Sequence, residues 1–187
     1  MKHVLLLSFT LSLLLASFVN ASDQAVISAE QLAKKWKRTK SLATPVEETR
    51  TTTVKVTKGL TVEVQKVEVK VDADTQERFQ NVRFELGSDQ IQDGRSFRQL
   101  AEIAKAMQMA GTETFLIEGH TCDLGPDADN KDLSQRRAEV VVAELIRLGV
   151  PAYRLQFLGF GEERPVTANL DESERSVNRR VEIYRKL

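Results

Sequence analysis

The chain has 187 residues, of which 41% are hydrophobic and 29% are charged, so it can form one domain with an apolar core plus an extension, and disorder throughout is excluded. Its 27 basic residues balance 27 acidic ones, which leaves no positive surplus for binding nucleic acid. Cys122 is the only cysteine, so an internal disulfide is excluded and stability must come from the core.

The first residues predict a secretory signal peptide, residues 1–21. Lys2 and His3 precede an apolar run, residues 4–19, and Val19-Asn20-Ala21 fits a cleavage site. An uncleaved membrane anchor is the alternative, but the run is short for a bilayer span. The residue immediately after the cleavage site is Ser22 and not a cysteine, so the lipid-attachment signal of bacterial lipoproteins is missing. We therefore expect an unlipidated protein that begins at Ser22 and lies in the periplasm.

An extension of residues 22–75 is predicted to begin with a short helix. Ser28-Ala29-Glu30-Gln31 has the pattern of a capping box, and Leu32 and Trp36 follow one turn apart. The basic run of residues 34–40 could touch acidic lipid or an acidic partner. We favour the alternative, which is a solvated helix with one anchoring tryptophan, and we expect it to end before Pro45.

The second part of the extension alternates between valine and polar residues. This pattern covers residues 51–71 and predicts either a small hairpin that turns at Lys58-Gly59 or an extended linker that joins a sheet edge. The alternation changes phase between Val64 and Val67, which predicts a bulge or a second turn.

Residues 76–187 alternate between predicted strands and helices. We predict strands at 82–86, 114–119, 155–158 and 180–184 and helices at 92–109 and 133–148. The core face of the first helix is expected to carry Phe97, Leu100, Ile103, Ala104 and Met107. This βαβαββ order predicts an α+β fold with a mixed sheet and helices packed on one face.

The helix predicted at 133–148 places one arginine at a border position. Its apolar stripe leaves Arg136 pointing towards water, whereas Arg137 lies at the edge of the stripe, where a packed stem and an exposed planar head are compatible. A position near the helix N-terminus also favours an anion. Arg137 is therefore a candidate for gripping a carboxylate, and an internal ion pair with Asp123 or Asp127 is an equally good interpretation.

The loop that precedes this helix, residues 118–125, follows the end of a strand, where ligands often bind. Asp123 could accept hydrogen bonds from a ligand amine or merely bond nearby backbone. His120 and Cys122 share a face if the segment is extended, which allows a thiol nucleophile or, with Asp123, a metal site. A stable metal site needs more ligands than these, so we predict no catalytic residue, no metal and no cofactor.

Five stretches resemble the OmpA-like domain family in order and spacing across about 110 residues. They are Phe84-Glu85-Leu86-Gly87-Ser88, residues 117–125 with Asn130, Leu133-Ser134-Gln135-Arg136-Arg137-Ala138-Glu139, Gly159-Phe160-Gly161-Glu162-Glu163-Arg164-Pro165 and Asn178-Arg179-Arg180-Val181-Glu182-Ile183. The resemblance implies an OmpA-like sandwich over residues 76–187.

The resemblance also implies a ligand. Members of this family bind peptidoglycan without cleaving it and recognise stem-peptide diaminopimelate, whose amine is taken by an aspartate and whose carboxylate is taken by an arginine. The family arginine falls on Arg137. The aspartate position holds Cys122, so either the adjacent Asp123 takes its place or the amine is not gripped. Thr121, Asn130 and Arg180 complete the predicted peptidoglycan-binding residues.

These observations predict a non-enzymatic protein of the periplasm, associated with the wall or the outer membrane. Its expected role is to anchor or link envelope components to peptidoglycan, with another envelope protein as a possible partner of residues 22–75. The alternative is an interaction domain that kept the fold and lost the wall ligand.

Overall fold

The structure, a computed structural model, describes residues 25–37, 44–58 and 61–187, without the side chains of residues 56–58, 61 and 62. The predicted signal peptide, part of the basic run and Gly59 of the predicted turn lie outside the described residues. The elements are α1 (Ala29–Trp36), β1 (Glu47–Lys58), β2 (Thr61–Phe79), α2 (Asp93–Met109), β3 (Phe115–His120), α3 (Asp127–Arg147), a 3₁₀ turn (Ala152–Arg154), β4 (Leu155–Gly161), α4 (Glu172–Asn178) and β5 (Val181–Lys186).

The strands form one mixed sheet in the order β1-β2-β5-β3-β4. β3 and β4 are parallel and α3 connects them, whereas the other neighbours are antiparallel. The predicted α+β class with a mixed sheet is therefore confirmed. None of the helices in the described ranges combines the length and apolarity needed to cross a bilayer.

Two glycines let α3 lie directly on the sheet. A Cβ on Gly119 of β3 would lie 2.2 Å from the carbonyl oxygen of Ser134, and a Cβ on Gly159 of β4 would lie 2.4 Å from the amide nitrogen of Gln135. Interiors packed to crystal density cannot absorb such overlaps without moving the helix. The approach also lets the Ser134 hydroxyl accept a hydrogen bond from the Gly161 N–H at 2.8 Å.

The predicted N-terminal helix packs onto this core through its tryptophan. The Ser28 capping box is confirmed, because Ser28 and Gln31 exchange backbone-to-side-chain hydrogen bonds. The Trp36 ring is fully buried 5.1 Å from that of Phe115, and its Nε1 donates to the Thr75 carbonyl at 3.1 Å. The prediction of an anchoring tryptophan is therefore confirmed.

The predicted hairpin and the predicted sheet edge both occur, because β1 and β2 pair with each other and β2 continues along β5. β2 crosses residues 75–76, where the extension was expected to meet the domain, without ending. The hairpin also curls across the sheet face that lies away from α3. The Thr52 hydroxyl of β1 donates to the Gly159 carbonyl of β4 at 3.1 Å, so the two outer strands of the sheet approach each other.

The prediction of a bulge between Val64 and Val67 is wrong. The β1–β2 register is continuous there, and the irregularity lies between Asp72 and Glu77, where β2 pairs with β5. The alternation of the valines along β2 shifts by one residue because Val64 faces solvent, whereas Val67 packs against a second apolar cluster beneath the hairpin. The apolar face switches while the pairing stays regular.

The strand predicted at 82–86 is also wrong. This segment makes one isolated bridge, between Phe84 and Ile91, and Leu86 is 97% exposed. Its alternation of apolar and polar residues is that of a strand, but the chain turns at Gly87, whose φ is +64°. The position in the sheet is taken by β2.

Two details of the predicted helices need correction. Phe97 is exposed, because the buried polar side chains of Ser96 and Gln99 set the inward face of α2 by bonding to Asn81. α3 begins at Asp127, six residues before the predicted start. Its polar first turns lack an apolar repeat, but the acidic first turn suits a helix N-terminus.

The sheet face beneath the hairpin holds a buried polar cluster, Glu118, His120 and Glu182. Arg50 of β1 places its Nε 3.0 Å from a Glu118 oxygen, and Arg180 places its Nε 2.6 Å from Glu182. Burial nevertheless raises the pKa of Glu118 to about 8, against the opposing effect of Arg50. Burial, reinforced by the positive charge of Arg180, lowers the pKa of His120 to about 3.

The glycine contacts predict a strong and local sensitivity to substitution. Gly119→Ala should destabilise the protein by about 1–3 kcal/mol or more, because its methyl group overlaps helix backbone. Gly94→Ala in the first turn of α2 is the control, because the new Cβ would meet only the end of Arg98 at 3.6 Å. That change should be neutral or stabilise the protein by up to about 1 kcal/mol. Urea unfolding measures both, and equal effects would contradict the close approach of α3.

The raised pKa of Glu118 predicts a specific pH dependence. Between pH 4.5 and about 8 the folded state binds a proton that the unfolded state has lost, so this carboxyl should reduce stability as pH rises through that window. The slope is at most about 1.4 kcal/mol per pH unit. Glu118→Gln should remove this loss, so the variant should gain relative to wild type from pH 6.5 to pH 8.

His120 has the opposite pH dependence, because its depressed pKa costs stability as pH falls from 6.5 towards about 3. His120 contacts Glu118, so its contribution need not cancel in the difference between wild type and Glu118→Gln. The comparison is therefore made above pH 6.5 and up to pH 8, where His120 is mainly neutral in both the folded and the unfolded state. Urea unfolding at several pH values gives that difference. A difference that does not change with pH would show that Glu118 ionises normally in the folded protein.

Candidate functional site

A cavity of about 450 Å³ opens between the segment before α2 with the first turn of α2, the middle of α3, and helix α4. Its wall is rich in arginine and contains a single acidic residue. The lining residues are Gln80, Asn81, Val82, Arg83, Phe84, Gln92, Arg95, Arg137, Glu172, Ser173, Ser176, Val177 and Arg179. Among the predicted site residues, Arg137 is the one that lines this cavity.

Arg137 is almost fully buried, with only 5% of its surface exposed, and its side chain is held in place by three contacts. Its Nε donates to the Ser88 carbonyl at 2.9 Å, one Nη donates to the Glu85 carbonyl at 3.4 Å, and its guanidinium lies 4.9 Å over the Phe84 ring. The loop 84–88, which resembles a family stretch, therefore fixes this side chain. A guanidinium oriented by neutral carbonyls keeps its charge available for an anion.

Two interpretations of Arg137 change with the structure. It is the eleventh residue of α3, in the third turn, so the expected contribution from a helix N-terminus is wrong. The alternative of an internal ion pair with Asp123 is also not what the geometry shows, because Asp123 pairs with Arg175 at 3.2 Å. Burial, followed by the positive charge of Arg179, lowers the pKa of Arg137 to about 10, so it remains a cation at neutral pH.

Cys122 lies buried behind one wall of the cavity. Its Sγ is 3.6 Å from an Nη of Arg179, and it lies close enough to Arg137 to affect the pKa of that guanidinium. Asp123 is exposed and does not line the cavity. The chain therefore presents a thiol between two arginines, and the neighbouring carboxylate is turned to another partner.

The remaining predicted site residues support the loop and the sheet. The Thr121 N–H donates to the Gly161 carbonyl at 2.9 Å, and the Asn130 amide donates to the Leu124 carbonyl at 3.1 Å and to Glu162 at 2.6 Å. Arg180 is buried against Glu182. Thr121, Asn130 and Arg180 do not line the cavity.

Sequence reasoning selected Arg180 and missed its neighbour Arg179, which does line the cavity. The alternation of side chains that leads into β5 could have identified Arg179. Arg180 and Glu182 are two residues apart, so both point to the hairpin side of the sheet. Successive side chains alternate between the two faces, so Arg179 points to the opposite side. Glu172, Arg83 and Arg95 were also missed, because no pattern within a single segment shows that their three segments meet at one cavity.

The cluster of Glu118, His120 and Glu182 is the one set of ligand-type side chains in the described ranges that lies close enough to hold a metal ion. Its chemistry fits a cation poorly. The Tyr184 hydroxyl, Arg78 and Arg180 already donate to Glu182, and Arg50 faces Glu118. These guanidinium groups supply the positive charge that a metal would bring.

The pairing of His120 with Cys122 that an extended segment would allow does not occur. β3 ends at His120, whose ring stacks on Phe160 at 5.6 Å, whereas Cys122 contacts Arg179 beside the cavity. Cys122 lies two residues beyond the end of β3, so strand geometry does not align the two side chains. The arrangement does not support a thiol nucleophile activated by this histidine.

Comparison with known proteins gives consistent relatives. Outer membrane porin F of Pseudomonas fluorescens is 38% identical over 102 residues, which cover 54% of this chain and 31% of that protein. The peptidoglycan-associated lipoprotein of Pseudomonas aeruginosa is 35% identical over 100 residues, which cover 54% of this chain and 58% of that protein. The chain thus spans less than two thirds of either relative.

A solved structure shares the fold. The crystal structure of the peptidoglycan-associated lipoprotein from Burkholderia pseudomallei matches with a TM-score of 0.52 and 31% identity, over 56% of this chain and 87% of that chain. These relatives confirm the predicted cell-envelope class of protein. Residues 83–179, more than half of the chain, match the model of the OmpA family, and the chain belongs to that family.

Proposed function

We propose that this protein attaches non-covalently to peptidoglycan and links an envelope component to the cell wall without catalysing a reaction. The ligand group is a carboxylate of stem-peptide diaminopimelate, and Arg137 grips it. The observation that carries the proposal is a buried, rigidly held arginine in the wall of an arginine-rich cavity, in a chain whose relatives include peptidoglycan-associated lipoproteins.

The cavity supports this proposal in two ways. Arg83, Arg95 and Arg179 line the wall with Arg137, and Glu172, which pairs with Arg179, is the one acidic residue there, so the composition of the wall suits an anionic group. Phe84 and Val177 add apolar surface, which suits the methylene chain between the two ends of diaminopimelate. A few charged groups beside an apolar wall are typical of a small-ligand site.

The alternative function, an interaction domain without the wall ligand, is favoured by one observation. The aspartate position that the family resemblance predicts is occupied by Cys122, and Asp123 bonds to Arg175. In that case the cavity would bind an acidic segment of a protein. Retention of the purified chain on isolated sacculi distinguishes the two functions.

The N-terminal extension remains the proposed contact for another envelope protein. Its described part contributes α1, β1 and most of β2, which pack into the same sheet and core as the rest of the chain. A partner that binds there would therefore be held in a fixed position relative to the cavity.

Arg137→Ala should weaken binding to purified sacculi by about tenfold to a hundredfold, because a charge-assisted pair is worth about 1.5–3 kcal/mol. Arg136→Ala on the same helix is the matched control. Arg136 pairs with Asp89 at 3.3 Å and does not line the cavity, so its loss should change binding little. Co-sedimentation with sacculi measures both, and equal effects would refute the assignment.

Loss of Arg137 also removes two bonds to the loop 84–88, so a second variant separates binding from folding. Ser176 is exposed, lines the cavity and lies on α4. Ser176→Glu should weaken sacculus binding by placing a negative charge in the cavity, and the melting temperature should change little. If Ser176→Glu binds as well as Ser176→Ala, the cavity is not where the wall binds.

A further inference from the structure

A tight turn formed by residues 85–88 contacts the side chain of Arg137. The Ser88 N–H donates to the Glu85 carbonyl at 3.1 Å, which closes the turn. Gly87 at the third position has a φ of +64°, and the second residue has a negative φ. A positive φ at the third position alone is typical of a type II turn, where glycine or asparagine adopts it. The shape of the turn therefore depends on Gly87.

The turn occupies one edge of the Arg137 guanidinium. The Nε of Arg137 donates to the Ser88 carbonyl at 2.9 Å, and one Nη donates to the Glu85 carbonyl at 3.4 Å. The two accepting carbonyls belong to the first and last residues of the turn. A guanidinium carries its N–H donors in a fixed planar fork. The edge between the two Nη atoms is therefore left for a ligand, because the turn already occupies the edge that includes Nε.

Gly87 is required for its backbone conformation and not for space. A Cβ at this position would meet no atom within 4 Å. The adjacent Leu86 is 97% exposed, so its side chain does not pack the turn against the rest of the protein. A substitution at Gly87 therefore acts through φ, since residues with a Cβ disfavour positive values and β-branched residues disfavour them most. A turn of another shape would move its carbonyls away from Arg137.

We infer that Gly87 is a positioning residue for the ligand site. Its turn holds the Nε edge of Arg137 and directs the edge between the two Nη atoms at a carboxylate of the ligand. This inference rests on the proposed function, which assigns a carboxylate to Arg137. Each carboxylate oxygen then accepts from a separate nitrogen, which is a bidentate contact that a lysine ammonium cannot reproduce.

The test measures binding of the full chain to purified sacculi. Gly87→Val should weaken binding by about tenfold, because valine avoids a positive φ and the carbonyls then leave the Nε edge of Arg137. Gly87→Asn should bind within about twofold of wild type, because asparagine tolerates this conformation. Wild-type binding by Gly87→Val, in a chain that Arg137→Ala weakens, would overturn the inference and leave the proposed function intact.

Gly111→Val is the matched control for backbone strain. Gly111 has a φ of +73°, and a Cβ there would also meet no atom within 4 Å. It follows the last turn of α2, whereas the cavity is lined by the first turn of that helix. Gly111→Val should lose about as much stability in urea as Gly87→Val and should bind sacculi like wild type. Equal weakening of binding by both variants would overturn the inference.

A double-mutant cycle separates positioning from folding. Arg137→Lys keeps a positive charge but lacks the planar fork that the turn holds. Gly87→Val should therefore weaken binding by less than about twofold in the Arg137→Lys background, compared with about tenfold in wild type. The same loss in both backgrounds would overturn the inference, because the turn would then act independently of the guanidinium.

The Nε–H of Arg137 gives a measurement that does not need the wall. Its exchange with water, followed by NMR, should be slow in wild type and Gly111→Val and about tenfold faster in Gly87→Val. Equal exchange in the two valine variants would overturn the inference. If exchange follows this pattern but wild type does not bind sacculi, the proposed function is overturned, while the role of Gly87 in holding Arg137 stands.

Discussion

The contact of α3 with the sheet is the constraint on which the site depends. Gly119 and Gly159 stand opposite the same turn of the helix, and each leaves less space than a methyl group would need. The backbone approach fixes the axial position of α3, and the bond from Gly161 to Ser134 fixes its rotation. Arg137 is three residues further along, so the direction of its side chain is set by packing that it does not itself make.

The two faces of the sheet use charge differently. On the helix side, Arg137 lines an open cavity and bonds to the neutral carbonyls of Ser88 and Glu85, so its charge remains available to a ligand. On the hairpin side, Arg180 pairs with the buried carboxylate of Glu182 and Arg50 lies against the carboxyl group of Glu118, so both arginines interact with groups inside the fold. The adjacent residues Arg179 and Arg180, just before β5, lie on opposite sides of the sheet. Arg179 lines the cavity, whereas Arg180 stabilises the buried cluster.

Local periodicity predicted the elements whose partners are close in sequence. The capping box at Ser28, the body of α3 and the strand after Gly111 follow from patterns that each segment carries alone. The predicted strand at 82–86 failed because alternation cannot reveal that β2 takes that place in the sheet. At the site, Arg137 followed from helix geometry, whereas the orientation of Asp123 depends on Arg175, which lies 52 residues away.

The position of β5 in the sheet has a consequence for how the chain folds. β5 lies between β2 and β3, although it is the last of these strands along the chain, and Asp72 pairs with Arg185 across 113 residues. The hairpin therefore has no neighbour in the sheet until the final strand is available. Such long-range closure slows folding, because a large loop entropy must be lost before native contacts compensate it. A chain with this topology is therefore expected to remain incompletely folded for longer than one built from local hairpins.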